Sequence, residues 1–468
     1  MNYNPILNTD SYKPSHWLQM PVGSEEQFSY IEARGGIYPY SVFAGLQPFL
    51  KKFLSVPVTK EHIAFAEDRL AQHGVPFNKS GWTKLVEQHG GLFPVRIRAV
   101  KEGLLVPIKN ALVTVQNIGS PEFNWTPSYI ETPVLRSVWY MTTVATISYS
   151  IKQVIKGYLE ETGDVNLLPF KLHDFGARGV SSEESAGLGG AAHLFNFMGT
   201  DTLSALDVLY DYYGATTMPA FSIPASEHST ITSWGKDNEV DAYRNMLNQF
   251  AKPGAIVACV SDSYDIMHAC DLWGTELKQQ IIDSGATLVV RPDSGDPATV
   301  VLDVVRRLDS HFGSQVNAKG YRVLNHVRVI QGDGINEQSI RGILMNLKFA
   351  GYSADNVAFG MGGALLQQMN RDTQAFAMKC SALKVAGKWI DVYKDPVGDS
   401  GKRSKKGRLT LVRNYMGKGD TFKTIRAEEL AAYEQTSDYR EIMEDVWVNG
   451  ELVRDQTIDE IRAIANSN

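Results

Sequence analysis

The sequence predicts an α/β protein, namely an irregular (β/α) barrel flanked by a second α+β domain that is built from the N- and C-terminal segments. Between residues 170 and 380, short apolar runs end in polar or glycine-rich turns, and a segment with helical periodicity follows each. Alternating strands and helices indicate a parallel sheet, and this many units favour its closure into a barrel. The first 150 residues lack this alternation and therefore predict a separate domain.

The elements outside the barrel have simpler patterns. Residues 92–118 alternate apolar and polar side chains, as antiparallel strands do, and residues 388–394 resemble a further strand. Residues 134–155 form the most apolar stretch, which Arg136, Lys152 and many hydroxyl side chains interrupt. We therefore expect a buried or interface helix there rather than a membrane span. The expected domain bounds are 1–160, 161–378 and 379–468, with the first and last parts forming one flanking domain.

Strand ends and helices alternate through the barrel region. The expected strand ends are 173–176, 224–228, 261–263, 291–295, 331–334 and 360–363. The amphipathic segments between them predict helices at 238–251, 264–283, 297–312 and 336–350. In barrels of this kind the carboxyl ends of the strands carry the functional residues, so the polar side chains there are the candidates for a site.

Composition restricts the function class. A chain of 468 residues with a net charge of −6 is not expected to bind nucleic acid or anionic membranes generally. Its three cysteines form no C-x-x-C pair, which fits a reducing compartment and offers no metal framework. The first residues do not resemble a signal peptide, so we expect a cytoplasmic protein without a membrane segment.

Two glycine-rich turns carry the strongest local signal. Residues 327–334 read VRVIQGDG and residues 356–363 read NVAFGMGG, in each case an apolar run followed by glycines. Backbone N–H groups in such turns can approach an anion, which is one way in which proteins hold a phosphate ester. For each turn alone, an ordinary connection that uses glycine for a positive φ is the favoured explanation. Together, on neighbouring strands, the two turns favour one shared phosphate site.

Acidic and basic side chains occupy the other predicted strand ends. Such a rim fits a sugar phosphate whose hydroxyls need carboxylate acceptors, together with Mg²⁺, which prefers oxygen ligands. The sequence has neither the G-x-S-x-G motif of serine hydrolases nor the H-E-x-x-H motif of zinc sites. The candidate residues are Asp174, Arg178, Asp201, His228, Asp262, Arg291, Asp293 and Asp333.

Several motifs resemble, in order and spacing, those of the nicotinamide phosphoribosyltransferases, a type II phosphoribosyltransferase family. The similar segments, besides the two glycine turns, are NTDSYK at 8–13, LHDFGARG at 172–179, GTDT at 199–202, EHST at 227–230, SDSYD at 261–265, RPDSG at 291–295 and KDPV at 394–397. The resemblance implies transfer of a 5-phosphoribosyl group from phosphoribosyl pyrophosphate to nicotinamide, giving nicotinamide mononucleotide and pyrophosphate in NAD salvage. It also implies a homodimer with active sites at the subunit interface, Mg²⁺ as cofactor and ATP as phosphoryl donor.

The resemblance further implies which residues bind nicotinamide. Phe175 would stack on one face of the ring and Tyr12 of the partner subunit on the other, since aromatic faces suit a flat ring, and Asp10 belongs to the same set. Asp201 would accept the carboxamide N–H and repel nicotinate, whose own carboxylate would face it. From the residues alone, a core position for Phe175 and a helix N-cap role for Asp201 stay open.

A second implied set binds phosphate groups. Arg178, His228 and Arg291 would bind pyrophosphate, and the resemblance implies that ATP phosphorylates His228. His228, Asp262 and Asp293 form the implied catalytic set, in which the two carboxylates hold the ribose hydroxyls and the hydration shell of Mg²⁺ without coordinating the metal directly. The implied 5′-phosphate ligands are Gly332, Asp333, Gly362, Gly363 and Arg371 of the partner subunit. The implied additional cations are Lys379, Lys394 and Lys402.

Three alternatives stay open. A nicotinate phosphoribosyltransferase would share the barrel but would require a cation where Asp201 stands. A sugar-phosphate isomerase or aldolase could use the same glycine turns but would need a base for carbon-acid chemistry or a Schiff-base lysine, and no lysine stands at the predicted strand ends. A non-catalytic binding protein would not need the full set of acids, arginines and glycine turns.

Overall fold

The computed structural model describes residues 3–396, 403–416 and 421–468, and the chain divides into two compact units. The first unit consists of Met1–Thr146, Val208–Ala215 and Met369–Asn468. The second unit consists of Ile147–Asp207 and Thr216–Gln368. The sequence predicts the corresponding boundaries at 160/161 and 378/379.

A curled parallel sheet of six strands organises the second unit. In chain order its strands are β1 Leu172–Asp174, β2 Gly199–Thr200, β3 Ile256–Val260, β4 Thr287–Arg291, β5 Val327–Gln331 and β6 Val357–Met361. Their order across the sheet is β2-β1-β6-β5-β4-β3, and all neighbouring strands are parallel. All six carboxyl ends therefore meet at one edge, which confirms the parallel sheet predicted from the alternating pattern.

The segment before residue 228 differs from the prediction. The sequence predicts a strand that ends at 224–228, but the structure has only two single bridges here, Phe221 with Gly199 of β2 and Ala225 with Ala258 of β3. Pro224 lacks the N–H group that a regular ladder would need. The segment nevertheless joins both outer strands of the sheet.

Helices follow the strands, and three of the predicted ones are confirmed. Glu239–Phe250, Pro297–Phe312 and Glu337–Phe349 lie within one residue of the predicted bounds. The second of these helices begins where Asp296 accepts a hydrogen bond from the Thr299 N–H and a proline occupies the first turn. The other helices of this unit are Glu183–His193, His228–Thr232, Gly363–Leu366 and the first half of Leu203–Tyr213, whose second half is assigned to the first unit. Its shorter elements are the 3₁₀ turns Val165–Phe170, Ala177–Gly179, Lys236–Asn238 and Ala354–Asn356 and the hairpin strands Ser314–Val316 and Arg322–Leu324.

The helix predicted at 264–283 is instead two helices, Ile266–Gly274 and Lys278–Ser284. A Cβ at Gly274 would lie 2.1 Å from Cγ of His311, so the neighbouring helix packs directly against the glycine backbone. Glycine is a poor residue for a helix interior, and the first helix ends there. The apolar periodicity continues across the break, so the sequence pattern alone does not reveal it.

Two alanines lie among the apolar side chains on the inner face of the parallel sheet. Ala258, Val289 and Ile330 pack with Ala358 along the inner side of β3 to β6. Barrel interiors are normally filled by layers of bulky side chains. Here the alanines leave a cavity of about 420 Å³.

The first unit contains a seven-stranded antiparallel sheet, which confirms the antiparallel strands predicted within 92–118. In sheet order its strands are Lys388–Asp391, Phe376–Val385, Ser24–Ala33, Ala111–Asn117, Val95–Ala99, Glu444–Val448 and Glu451–Leu452. A three-stranded sheet of Phe422–Arg426, Leu409–Asn414 and Tyr439–Glu441 and a pair of Tyr40–Val42 and Leu105–Pro107 complete the strands described there. The large core of this unit packs between the main sheet and its helices.

The helices of the first unit include the start of the longest helix, Glu131–Thr162, which contains the predicted apolar segment 134–155. The other helices are Leu46–Phe49, Lys60–His73, Lys79–His89, Thr126–Tyr129, Leu430–Thr436 and Ile458–Asn466. The 3₁₀ turns are Pro5–Leu7, Lys13–Leu18, Pro121–Phe123, Arg371–Thr373 and Ala427–Glu429, and Leu50–Leu54 is a π-helical turn. Within the described parts of the chain, no helix combines the length and apolar composition needed to cross a bilayer.

Candidate active site

An aromatic ring lies at the carboxyl edge of the parallel sheet. Phe175 follows β1 directly, and its N–H donates to the carbonyl of Met361 at 3.0 Å. A Cβ at Gly360 would lie 2.0 Å from Cε2 of Phe175, so only glycine leaves room for this ring position. Arg291 is the last residue of β4, and its guanidinium carbon lies 5.9 Å from the centroid of the Phe175 ring. Phe175 is half-buried and lines the cavity, so its ring can contact a bound molecule.

Asp201 directly follows β2 and lines the same cavity as Phe175. Its N–H donates to the Asp174 carbonyl at 2.9 Å, and its Oδ1 accepts from the Ser222 hydroxyl at 2.6 Å. Among the described residues, no hydrogen-bond donor contacts its Oδ2 and no lysine or arginine pairs with it. The helix N-cap role that the sequence left open is not seen in the described contacts, since the carboxylate accepts from Ser222 instead of from a helix N–H. Ser222 was not singled out from the sequence.

A second titratable group in this region, His173, has a lowered pKa, which favours its neutral form. Burial lowers the pKa of His173, while the nearby Asp201 carboxylate and a hydrogen bond to the Phe170 carbonyl oppose this shift. The imidazole Nε2 lies 3.0 Å from that carbonyl oxygen. The negative charge of Asp201 is therefore not cancelled by a neighbouring imidazolium.

A chain of polar contacts joins the start of the helix His228–Thr232 to the ends of β3 and β4. His228 Nε2 lies 2.9 Å from Asp262 Oδ1, and Asp262 Oδ2 accepts from the Asp293 N–H at 3.0 Å. Arg291 holds both carboxylate oxygens of Asp293, at 3.2 and 2.8 Å. The structure therefore brings together four residues that the sequence predicted separately.

The charges in this chain are set by its contacts. Burial alone raises the pKa of Asp262, but hydrogen bonds from the Ser294 hydroxyl, His228 and the Asp293 N–H together hold it below the usual range. The Asp262 side chain is 4% exposed, whereas that of His228 is 46% exposed. The buried, ionised Asp262 carboxylate thus orients the His228 imidazole, and the imidazole itself is exposed and can contact a ligand.

The two glycine turns present unpaired backbone donors. No described residue accepts a hydrogen bond from the N–H groups of Asp333, Gly334, Gly362 or Gly363. Of these glycines, only Gly334 has a positive φ, +67°, so the conformational explanation for glycine accounts for one position and not for the rest. Bare N–H groups at the end of neighbouring strands β5 and β6 are the arrangement that an anion requires.

Arg178 lies on the turn next to the second glycine turn. A Cβ at Gly179 would be 3.6 Å from the Gly363 nitrogen, so the two turns are in close contact. The Arg178 side chain is exposed. It therefore adds a cation at the edge of the same group of N–H donors.

The cavity of about 420 Å³ runs along the inner face of the sheet. Phe175, Asp201 and Arg291 line it at the carboxyl edge, and Ile256 and Thr287, the first residues of β3 and β4, line it at the opposite edge. Its volume lies in the range of small-molecule sites, and its lining is mainly apolar with a few polar groups. The arrangement suits a flat ring placed between Phe175 and Asp201.

The remaining candidates lie in the first unit. Tyr12 is 56% exposed, and its hydroxyl is 3.5 Å from Asp10 Oδ2, which also accepts from Thr132. Lys394 is exposed where its N–H and carbonyl pair with Ser404, at 2.9 and 3.0 Å. Lys402 lies outside the described residues.

Lys379 and Arg371 belong to a group of cations in the same unit. Burial lowers the pKa of Lys379; the Glu131 carboxylate opposes that shift, and Arg34, Arg371 and Lys13 add to it. Arg34 and Lys13 were not among the predicted residues. Arg34 directly follows the strand Ser24–Ala33, which is the signal that could have identified it.

A parallel α/β sheet whose carboxyl edge has turns with unpaired N–H groups, an aromatic ring and an acid–arginine rim is typical of enzymes that act on phosphorylated sugars. A model of the nicotinate phosphoribosyltransferase (NAPRTase) family matches residues 170–447 of the chain, and a model of the nicotinamide phosphoribosyltransferase N-terminal domain matches residues 4–97. The chain is 57% identical to a nicotinamide phosphoribosyltransferase of Xanthomonas campestris pv. campestris, over 99% of this chain and 98% of that one.

Two solved structures share the fold. One is a nicotinate-nucleotide pyrophosphorylase from Pyrococcus furiosus, with a TM-score of 0.63, 16% identity and coverage of 100% of this chain and 96% of the other. The other is human nicotinic acid phosphoribosyltransferase, with a TM-score of 0.59, 14% identity and coverage of 98% and 93%. The chain belongs to the nicotinate phosphoribosyltransferase family and, within it, to the nicotinamide phosphoribosyltransferases, and it is a pentosyltransferase of NAD biosynthesis.

Proposed function

We propose that this enzyme transfers the 5-phosphoribosyl group of phosphoribosyl pyrophosphate to nicotinamide, giving nicotinamide mononucleotide and pyrophosphate in NAD salvage. The observation that carries the proposal is the unpaired Oδ2 of Asp201, a residue that lines the same cavity as the Phe175 ring. Nicotinamide has a flat ring for the phenylalanine and an amide N–H donor for the carboxylate.

Asp201 is proposed to distinguish the amide from the acid. Ser222 engages Oδ1, so Oδ2 is the atom that accepts the carboxamide N–H. Nicotinate would place a second carboxylate there. Two like charges 4 Å apart repel by about 4 kcal/mol at an effective dielectric constant of about 20, which is ample for discrimination.

The phosphate groups are proposed to occupy the other half of the edge. The free N–H groups of the turns after β5 and β6, that of Asp333 included, surround the 5′-phosphate. Arg178, His228 and Arg291 bind the pyrophosphate. The Arg291 side chain pairs with Asp293 through Nε and Nη2, and within the described residues its Nη1 has no acceptor, so it can meet a phosphate oxygen.

The chemistry proposed for these residues is positioning and charge stabilisation. Asp262 and Asp293 accept the ribose hydroxyls, and their negative charge favours the positive charge that develops at C1 as pyrophosphate leaves. The pyridine nitrogen then attacks from the face on which Phe175 holds the ring. No protein nucleophile is required, and we expect inversion at C1.

The side chains fit a hydrated Mg²⁺ better than a directly coordinated one. Both oxygens of Asp262 and both of Asp293 already have protein partners, and no cluster of three or more potential metal ligands exists among the described residues. We therefore propose that the two carboxylates contact the water shell of an ion bound to pyrophosphate. When bound, this ion supplies neutralisation of the leaving group's charge.

ATP is proposed to phosphorylate His228 and so to favour product formation. The half-exposed imidazole has one nitrogen near Asp262 and the other available, which is the geometry that an oriented nucleophile needs. In the balanced step the free imidazole nitrogen forms a bond to the γ-phosphorus of ATP, and the bond to the bridging oxygen breaks, releasing ADP.

We propose a cytoplasmic homodimer in which the curled sheet is the irregular barrel of the family, the first unit is the flanking domain, and each active site is shared. Tyr12 and Arg371 of the partner subunit then complete the site that contains Phe175, and Asp10, Lys379, Lys394 and Lys402 serve the same shared sites. Mixing two inactive variants, Phe175→Ala and Arg371→Ala, tests this arrangement. Hybrid dimers should regain activity through one intact site, and no recovery after subunit exchange would contradict it.

A product assay tests the central proposal. The purified protein is incubated with phosphoribosyl pyrophosphate, Mg²⁺ and either nicotinamide or nicotinate, and the products are identified by chromatography and mass spectrometry. We expect nicotinamide mononucleotide from the amide and little product from the acid. Product from nicotinate alone would overturn the role given to Asp201.

A further inference from the structure

Two buried polar side chains at strand ends have no part in the proposed function. Asp174 is the last residue of β1 and Gln331 the last residue of β5, and both are 0% exposed. Each closes the turn that follows it by a hydrogen bond to the residue two positions further on. The Gly176 N–H donates to Asp174 Oδ1 at 2.7 Å, and Gln331 Nε2 donates to the Asp333 carbonyl at 2.9 Å.

Asp174 fixes both turns that carry the ring-binding residues. Its side chain holds the turn after Phe175, and its own carbonyl accepts the N–H of Asp201 at 2.9 Å. A Cβ at Gly190 would be 2.9 Å from Asp174 Oδ2, so the carboxyl group fills its space closely. Loss of the Gly176 contact therefore frees the turn next to the ring while the strand itself stays packed.

Gln331 fixes the turn that presents the phosphate donors. In a trans peptide the carbonyl and the following N–H point in opposite directions. Anchoring the Asp333 carbonyl to Gln331 thus directs the Gly334 N–H away from the glutamine side chain, towards the open edge. Within the described residues, no donor contacts the buried Oε1 of Gln331. An unpaired buried oxygen lowers stability, and an apolar side chain at this position would not have that cost.

We propose that Asp174 and Gln331 are positioning residues with separate roles: Asp174 holds the two turns that bind the pyridine ring, and Gln331 holds the turn that binds the 5′-phosphate. The proposal rests on the proposed function, because it assigns one substrate of that reaction to each residue. Asp174 supports the binding of nicotinamide, and Gln331 supports the binding of phosphoribosyl pyrophosphate. It predicts that each residue affects the KM of one substrate and not that of the other.

The test uses variants that remove the hydrogen bond and keep much of the volume. For Asp174→Leu we expect the KM for nicotinamide to rise about 10-fold or more, with the KM for phosphoribosyl pyrophosphate within about 2-fold of wild type. For Gln331→Met we expect the reverse, a rise of about 5-fold or more for phosphoribosyl pyrophosphate alone. Asp174→Asn keeps an acceptor for the Gly176 N–H and should restore the KM for nicotinamide.

Ser353 offers a matched control at the opposite edge of the sheet. It is 0% exposed, and its hydroxyl accepts from the N–H two residues further on, that of Asp355, at 3.0 Å. Ser353→Ala removes the same kind of turn closure ahead of β6, away from the carboxyl edge. It should lower stability without changing either KM.

The outcomes separate the two levels of the proposal. Equal changes in both KM values, no change in either, or failure of Asp174→Asn to restore binding overturns the positioning roles. If Asp174→Leu or Gln331→Met does not fold, Asp174→Ala and Gln331→Leu replace them under the same expectations. If the wild-type enzyme makes no nicotinamide mononucleotide, the proposed function itself fails, whatever the variants do.

Discussion

Gly360→Ala perturbs the ring-binding half of the site with a single methyl group. Gly360 lies in β6 directly behind Phe175, where an added Cβ would be 2.0 Å from Cε2 and 2.1 Å from Cδ2 of the ring. Carbon atoms in contact normally lie about 3.5–4.0 Å apart. The ring must therefore move by about 1.5 Å, because the buried strand behind it cannot yield so far.

The size of the effect follows from this displacement. Loss of the ring contact costs about 0.5–1.5 kcal/mol, which corresponds to a rise of about 2- to 12-fold in the KM for nicotinamide. Misplacing the bound ring by about 1 Å costs up to about 10²-fold in rate. Crowding in the core lowers the free energy of unfolding by about 1–3 kcal/mol, so the variant should still fold.

Steady-state kinetics with each substrate varied in turn measures the effect, and urea unfolding measures stability. Gly342→Ala is the control, because a Cβ there would meet Ala298 at an ordinary 3.7 Å. We expect normal kinetics for the control and a selective loss of nicotinamide binding and turnover for Gly360→Ala. A folded Gly360→Ala enzyme with unchanged kinetics for nicotinamide would refute the placement of the ring in the site.

Two further predictions concern protonation and ATP. Burial raises the pKa of Asp174 to about 6, so ionisation of this one group costs the fold stability as pH rises from about 4 to about 6, and its cost stays constant above that range. Asp174→Asn lacks this cost and should gain up to about 3 kcal/mol relative to wild type at pH 7.5 but not at pH 4, as measured by denaturant unfolding; an equal difference at both pH values would contradict the buried carboxyl's raised pKa. His228→Ala should abolish stimulation by ATP and leave residual transferase activity, as measured with and without ATP; unchanged stimulation would contradict the phosphohistidine role.

The sequence predicted the parallel sheet because its signals are local. Apolar runs that end in glycine turns mark β5 and β6, and the Asp296-Pro297 pair marks the start of a helix within the chain itself. Parallel strands bring their carboxyl ends to one edge, so polar residues at those ends were also predicted to form one site. The chain of contacts from His228 through Asp262 to Arg291 agrees with that expectation.

Other parts of the site depend on contacts between distant segments. Ser222 lies in a segment with only single bridges, so no strand pattern marks its approach to Asp201. The reason for glycine at position 360 is the ring of Phe175, which is far away in the sequence. The break after Gly274 has a similar cause, since His311 packs against it from another helix. Such packing constraints leave no periodic signal.

The choice of amide over acid by Asp201 is tested by one ratio, measured in wild type and in Asp201→Asn. It is the kcat/KM for nicotinamide divided by the kcat/KM for nicotinate. We expect a ratio of about 10² or more in the wild type, because the acid meets an unneutralised carboxylate. Asp201→Asn should lower the ratio at least about 10-fold while the KM for phosphoribosyl pyrophosphate stays unchanged. A ratio that the substitution does not alter, or a wild type that prefers nicotinate, would contradict it.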